Sequence, residues 1–100
     1  MTIFALSSGP GISGIAVIRV SGKFTAEVVK KLTSKGLPAP RVATLVKFNK
    51  NGGKELIDEG VIIWFPAPNS YTGEDLAEFH VHGSRAVIKA MHLELSLIHI

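Results

Sequence analysis

The stretch Pro68-Asn-Ser-Tyr-Thr-Gly-Glu-Asp-Leu-Ala-Glu-Phe-His-Val-His-Gly-Ser84 combines a turn, an alternating strand and a second turn. Its ionisable residues Glu78, His80 and His82 occupy every second position. Because successive side chains of a strand point to opposite faces, these three share one face. The residues between and before them are apolar and are predicted to form the core side: Ala77, Phe79 and Val81. A titratable face on such a strand indicates a polar pocket or an interface.

Length and composition set the class of protein. The chain has 100 residues, 46% of them hydrophobic and 19% charged, which predicts one small folded domain with one core. It contains no cysteine, so disulfides, thiolate catalysis and cysteine-ligated zinc are excluded.

The chain shows no targeting or membrane signal. No apolar run approaches the roughly 18 to 20 residues of a membrane helix, and the N-terminus lacks the basic lead of a signal peptide. We therefore expect a cytoplasmic protein without a membrane partner. The formal net charge of +3 permits an RNA or phosphate partner, but the basic residues are scattered and do not indicate one.

Hydrophobic periodicity predicts five strands and two helices. The strands are 2–7, 15–20, 41–48, 56–65 and 76–81, and the helices are 24–34 and a second one from Arg85. Strand 15–20 is nearly all apolar, with Arg19 as its one charge, which is typical of a strand buried on both faces. Asn51-Gly52 between two β-branched runs indicates a hairpin. We predict an α+β fold in which two helices pack on a mixed sheet of about five strands.

Each predicted helix has one apolar side. In the first helix this side comprises Phe24, Val28, Val29 and Leu32, and in the second it comprises Ala86, Val87, Ala90 and Leu93. Gly36 stands where a helix often ends in a left-handed residue.

The last six residues, 95–100, are apolar and without apparent helical periodicity. They equal the translation of CTG TCT CTT ATA CAC ATC, which resembles the end of a sequencing-library transposon adapter. We therefore expect a domain over 1–94, a non-native tail over 95–100, and a natural protein that continues beyond about Glu94.

The loop Gly9-Pro-Gly-Ile-Ser-Gly14 matches the G-x-G-x-x-G pattern of dinucleotide sites. Such a site needs a helix next, and here a strand-like run follows. We interpret the loop as a flexible connection in which glycines allow close approach of backbone or ligand. The chain has no G-x-x-x-x-G-K-[ST] motif, so these 100 residues are not expected to hydrolyse GTP.

The charged residues leave more than one interpretation open. Glu78, His80 and His82 could ligate a metal, but polar pocket lining is favoured and no metal is predicted. A carboxylate on a half-buried strand needs a donor, so Arg19 and Glu78 are expected to form an ion pair or to hold one ligand from two sides. Thr72-Gly73-Glu74-Asp75 is interpreted as a turn and not as a catalytic carboxylate pair.

Four stretches then carry a family resemblance: 2–8, 14–22, 68–75, and the Glu78-x-x-x-His-Gly83 pattern. Together they closely resemble the N-terminal domain of the MnmE/TrmE family of tRNA-modification GTPases. The resemblance covers residues 2 to about 93. The eight-residue stretch Pro-Asn-Ser-Tyr-Thr-Gly-Glu-Asp is long and unusual, so it is a specific signal.

The resemblance implies a fold similar to folate-dependent aminomethyltransferases. It implies a domain that binds a tetrahydrofolate one-carbon donor, in the formyl or methylene form, and that forms a homodimer. Arg19 and Glu78 occupy the positions of the family's folate contacts. The remaining expected pocket residues are Gly11, Gly14, Asn69, Tyr71, Thr72, His80 and His82. No catalytic residue is expected in this domain.

The resemblance also implies partners and a reaction for the full protein. With a flavin protein of the MnmG type, the family builds an aminomethyl-type group, here expected to be of the 5-carboxymethylaminomethyl type, at carbon five of the wobble uridine of tRNA. GTP, magnesium and potassium belong to a GTPase domain that follows in the family.

The chain departs from the family pattern at three places. Ile12 and Ser13 replace an arginine and a glycine in the first loop, and Ser84 replaces a glycine. The family's Pro-Gly-Glu-Phe segment and a ligand-binding lysine are expected downstream and do not occur here. These departures predict weak folate binding by the fragment.

Three other functions remain as alternatives. The domain could serve only in dimerisation, or it could be a small metal-dependent enzyme that uses Glu78, His80 and His82. It could also bind folate for a one-carbon transfer unrelated to tRNA, since one fold serves several functions.

Overall fold

The computed structural model describes residues 2–6, 14–50 and 52–99. The glycine-rich loop at 9–14, including Gly11, lies outside the described residues except for Gly14.

The described residues form five strands and two helices, in the order predicted from the sequence. The elements are β1 (Ile3–Leu6), β2 (Ile15–Ser21), α1 (Thr25–Thr33), β3 (Thr44–Lys50), β4 (Glu55–Phe65), β5 (Leu76–His82) and α2 (Arg85–His99). The α+β class is confirmed.

The strands of the described residues form a single sheet in the order β1-β2-β5-β4-β3. Every ladder in it is antiparallel, so the predicted mixed sheet is wrong in this respect. Helix α1 lies in the connection between β2 and β3, and α2 follows β5, so neither helix links two parallel strands of the sheet. Strand β5, which carries the alternating glutamate and histidines, is the central strand.

The hairpin between β3 and β4 forms where the sequence predicts it. Gly52 and Gly53 have φ angles of 68° and 90°, in the left-handed region that glycine adopts without steric cost. The register shifts between Phe48 and Asn49, so the tip of the hairpin is irregular.

Both helices cover one face of the sheet, and the core lies between them and that face. The residues of the core cluster are Ala16, Ile18, Val20, Val28, Val29, Leu32, Val46, Phe48, Ile62, Trp64, Ala77, Phe79, Val81, Met91 and Leu95. Within residues 2–6, 14–50 and 52–99, no helix lies on the opposite face, and Ile15 and Arg19 of β2 are exposed on it. The prediction that β2 is buried on both faces is therefore wrong. One face of the sheet remains open for a site.

The helix boundaries and faces differ partly from the prediction. Phe24 is the exposed N-cap of α1, and Ser34 takes the left-handed position at its end in place of Gly36. In α2, Ala86 and Leu93 are exposed, whereas Met91 and Leu95 are buried. Helix α2 also continues to His99, so the expectation that 95–100 lacks helical character is wrong. The origin of those residues stays a prediction.

The start of α1 is tied to the start of β5. The Gly22 amide donates to the Asp75 carbonyl at 3.0 Å. The hydroxyl of the fully buried Thr25 lies 2.8 Å from the Gly22 carbonyl and 3.2 Å from that of Asp75. These bonds fix the turn before β5 against the end of β2, which determines where the open-face side chains meet.

No helix in the part of the chain that the structure describes combines the length and the apolar character needed to cross a membrane.

Candidate functional site

The central feature of the open face is an ion pair between neighbouring strands. Arg19 of β2 lies directly opposite Glu78 of β5 in the antiparallel register. Its Nε donates to Glu78 Oε2 at 2.8 Å. The carboxylate side chain is 15% exposed and the guanidinium side chain 47%. The predicted pairing of these two charges is confirmed.

The ion pair extends into a polar row along β5. His80 Nε2 lies 3.3 Å from Glu78 Oε1, and because a carboxylate only accepts, this nitrogen carries the hydrogen. On the other side, the Arg19 guanidinium lies 5.9 Å from the centre of the Tyr71 ring, within the range of a cation–π contact. Each carboxylate oxygen of Glu78 thus has a donor and keeps further accepting capacity.

A cleft of about 350 Å³ opens beside this ion pair. It is lined by Arg19, Arg41, Phe65, Asn69, Ser70, Tyr71, Leu76 and Glu78. The volume lies in the range of small-molecule sites. The cleft therefore brings together four of the residues predicted from sequence: Arg19, Asn69, Tyr71 and Glu78.

The segment that borders the cleft, residues 66–75, is held by hydrogen bonds within it and by one contact to β2. Asp75 Oδ1 accepts from the Ala67 amide at 2.9 Å, and the hydroxyls of Thr72 and Ser21 lie 2.7 Å apart. The Ser70 hydroxyl donates to the Glu74 carbonyl, and Gly73 has a φ of 81°. The turn interpretation of 72–75 is confirmed. Thr72 acts as an anchor of the turn and does not line the cleft.

The other predicted pocket residues lie elsewhere on the open face. Gly14, His80 and His82 line a separate depression of about 220 Å³. The His82 amide donates to Asp58 Oδ2 at 2.8 Å, and its Nδ1 lies 2.8 Å from Asp58 Oδ1. Because the carboxylate only accepts, Nδ1 carries the hydrogen in this contact.

The open-face groups do not converge as a metal site would. Glu78 is directed to Arg19 and His80, whereas His82 is directed to Asp58. Among the residues that the structure describes, no three histidine, cysteine, aspartate or glutamate side chains are placed to hold one metal ion.

Asp58 is expected to stabilise the end of β5. Its carboxylate is only 12% exposed and accepts two hydrogen bonds from His82. Asp58→Asn replaces one accepting oxygen by a donor, and we expect it to lower the free energy of unfolding by about 1–3 kcal/mol. Urea denaturation measures this. The neighbouring exposed Glu59→Gln, with the same change of charge, should stay within about 0.5 kcal/mol of the parent. Equal effects of both variants would contradict this role.

Sequence reasoning missed two residues of the site. The sequence pattern predicts Arg41 only as the first residue of a strand, but it lies before β3 with a φ of 63° and lines the cleft. Asp58 was not singled out, because nothing in an isolated strand indicates its partner on β5. The signal for Arg41 was weak: a lone arginine after a proline-rich connector.

The fold and the cleft define a class: a small antiparallel α+β domain with a ligand-sized cleft of arginine, glutamate and aromatic side chains on its open face. Residues 2–98 match the family model described as GTP-binding protein TrmE N-terminus. The chain belongs to this family, and the resemblance inferred from the sequence is confirmed.

Individual relatives agree. The chain is 66% identical over 98 residues to the tRNA modification GTPase MnmE of Pelagibacter ubique, which covers 98% of the chain and 22% of that protein. It is 53% identical over 90 residues to the zebrafish (Danio rerio) mitochondrial 5-taurinomethyluridine-[tRNA] synthase subunit GTPB3, covering 90% of the chain and 18% of that protein. The corresponding MnmE of Paramagnetospirillum magneticum is 49% identical over 94 residues, which cover 94% of the chain and 21% of that protein. The chain thus spans about a fifth of the length of these relatives.

Proposed function

We propose that this chain is the tetrahydrofolate-binding domain of a cytoplasmic GTPase that modifies the wobble uridine of tRNA by adding a 5-carboxymethylaminomethyl-type group. The observation that carries the proposal is the Arg19–Glu78 pair beside a ligand-sized cleft. The ligand would be a one-carbon carrier, formyl- or methylene-tetrahydrofolate, and it would supply the carbon of the added group.

The chemistry of the cleft suits such a ligand. The edge of a pterin ring offers both N–H donors and acceptors, so it needs an accepting and a donating partner side by side. Glu78 accepts, and the Nη hydrogens of Arg19 remain to donate, since the bond to Glu78 uses Nε. Tyr71 and Phe65 add aromatic surface to the lining, which favours a flat ligand.

The remaining parts of the reaction belong to other parts of the protein or to partners. These 100 residues contain no P-loop, so we assign GTP, magnesium and potassium to a segment outside them. The names of the relatives support a role in tRNA modification. We further propose that the whole protein acts on tRNA together with an MnmG-type flavin protein.

Titration calorimetry with 5-formyltetrahydrofolate tests the proposal. We expect saturable binding with one ligand per chain, and thermal unfolding of the same sample shows that the titrated protein is folded. If the protein is folded and the titration gives no heat of binding above the heat of dilution, folate binding is contradicted. Dimerisation would then be left as the function of the domain.

Dimerisation is the second proposed function, and the apolar residues of the open face support it. Ile3, Ile15 and Leu45 are 59%, 60% and 68% exposed. By strand register all three lie on the face that carries Arg19 and Glu78. These side chains are spread over β1, β2 and β3, and burying them against a second copy of the chain would remove apolar surface from water.

A charge placed on this face is expected to weaken a homodimer. Leu45→Glu should raise the dimer dissociation constant at least about 10-fold, because a carboxylate would be buried against apolar surface. Sedimentation equilibrium measures this constant. The control Leu37→Glu makes the same change in the connector before β3 and should have no effect. A parent chain that is monomeric at the highest concentration used would contradict the proposal.

A further inference from the structure

The cleft contains a second guanidinium that the ion pair does not explain. Arg19 is neutralised by Glu78, but Arg41 lines the same cleft and has no carboxylate within 4.0 Å among the described residues. Formally the cleft lining carries two positive charges and one negative charge. An excess positive charge in a ligand-sized cleft favours a ligand with an anionic group.

The backbone holds Arg41 in a conformation that residues other than glycine seldom adopt. Its φ is 63°, in the left-handed region. Its amide donates to the Trp64 carbonyl at 2.8 Å, and the adjacent Pro40 forms a bridge with Trp64. Positions of this kind are concentrated at functional sites, where the surrounding structure maintains them. The bridge thus fixes Arg41 at the cleft independently of any ligand.

The side chain of Arg41 is oriented by two further contacts. One Nη2 hydrogen is donated to the Asn69 carbonyl, and the guanidinium lies 5.5 Å from the centre of the Phe65 ring. These contacts use one of five N–H donors. A purely structural anchor for the segment 66–75 would need no more than this. The remaining donors have the planar fork geometry that matches a carboxylate.

We propose that Arg41 binds a carboxylate of the glutamate tail of the ligand whose ring is held by Glu78. This inference rests on the proposed folate function, since p-aminobenzoylglutamate is the anionic part of that ligand. Glu78 and Arg19 then recognise the ring, and Arg41 recognises the tail. The cleft selects carriers with a carboxylate tail over pterins that lack one.

Three probes separate the two ends of the ligand in calorimetric titrations. They are 5-formyltetrahydrofolate, 6-methyltetrahydropterin, which lacks the tail, and p-aminobenzoylglutamate, which lacks the ring. Arg41→Gln should lower the affinity for the intact ligand at least about 10-fold and abolish binding of the tail probe. It should leave the affinity for the pterin unchanged. Arg41→Lys, which keeps the charge but not the fork, should restore part of the affinity for the intact ligand. Arg85→Gln, the same charge change on the exposed start of α2, is the matched control and should change nothing.

The outcomes distinguish this inference from the function on which it rests. Equal loss of pterin and intact ligand in Arg41→Gln would make Arg41 a structural anchor of 66–75 and overturn the inference, as would no loss at all. If the parent protein binds p-aminobenzoylglutamate, Arg41→Gln does not, and neither protein binds the pterin, Arg41 remains an anion site. Recognition of the folate ring by Glu78 would then be overturned. Parent protein that binds none of the three probes overturns both.

Discussion

Gly60→Ala is expected to prevent stable folding of the domain. A Cβ at this position would lie 2.1 Å from the His80 carbonyl oxygen and 3.2 Å from a ring carbon of Phe48. Neither neighbour can move easily, because His80 belongs to the backbone of the central strand and Phe48 is fully buried. The β4–β5 ladder ends one residue away, at Val61 and His80, so the two backbones approach closely where their pairing stops.

The expected loss of stability is at least about 3 kcal/mol, the upper end for overpacking of a core. For a domain of this size that corresponds to a fall in Tm of at least about 12 °C. Thermal unfolding followed by circular dichroism measures it. The control is Gly36→Ala, where an added Cβ meets nothing within 4 Å. A Tm for Gly60→Ala within about 3 °C of the parent would contradict this prediction, because it would show that β4 and β5 can move apart at Gly60 without a loss of stability.

Glu78→Gln is expected to weaken ligand binding strongly while the fold stays intact. The substitution keeps the shape of the side chain but loses the negative charge, and it places an amide where the ligand would donate. Losing a hydrogen bond to a charged group costs about 1.5–3 kcal/mol, so we expect the substitution to weaken the binding of 5-formyltetrahydrofolate about 10- to 150-fold. Calorimetry measures the affinity.

The fold should tolerate this substitution, because the Arg19 guanidinium is 47% exposed and remains hydrated without its partner. We expect a Tm within a few degrees of the parent. Glu59→Gln removes one negative charge from the same face outside the cleft and controls for the change in net charge. If Glu78→Gln binds the ligand with unchanged affinity, the ligand does not bind at this ion pair, whatever the effect of the substitution on stability.

The parts of the fold that follow from local patterns were predictable from the sequence. The alternation in β5 correctly placed Glu78 and His80 on the face opposite Phe79, because a strand has a strict period of two. The pairing of Arg19 with Glu78 followed from the cost of burying a lone charge. Both arguments need only the residues themselves and a general physical rule.

Other features depend on tertiary contacts that no local pattern encodes. The position of Arg41 is set by a bridge between Pro40 and Trp64, more than 20 residues apart. The buried side of α2 was misassigned because the helix carries apolar residues around most of its circumference, and packing against the sheet selects Met91 and Leu95. The helical end of α2 is likewise maintained by Leu95 in the core and not by a local signal.

The strand order also determines when this site can exist during synthesis. The β3–β4 hairpin joins neighbours in sequence, whereas the β2–β5 ladder brings Arg19 to a partner 59 residues further along. At ribosomal rates of about 5–20 residues per second, Arg19 waits about 3–12 s before Glu78 has even been made. Until then the β2 edge that will receive β5 lies open in the nascent chain. A chain that contains β4 but still lacks β5 therefore presents a β3–β4 hairpin beside an unpaired β2 edge, and an unpaired edge of this kind is prone to wrong pairing.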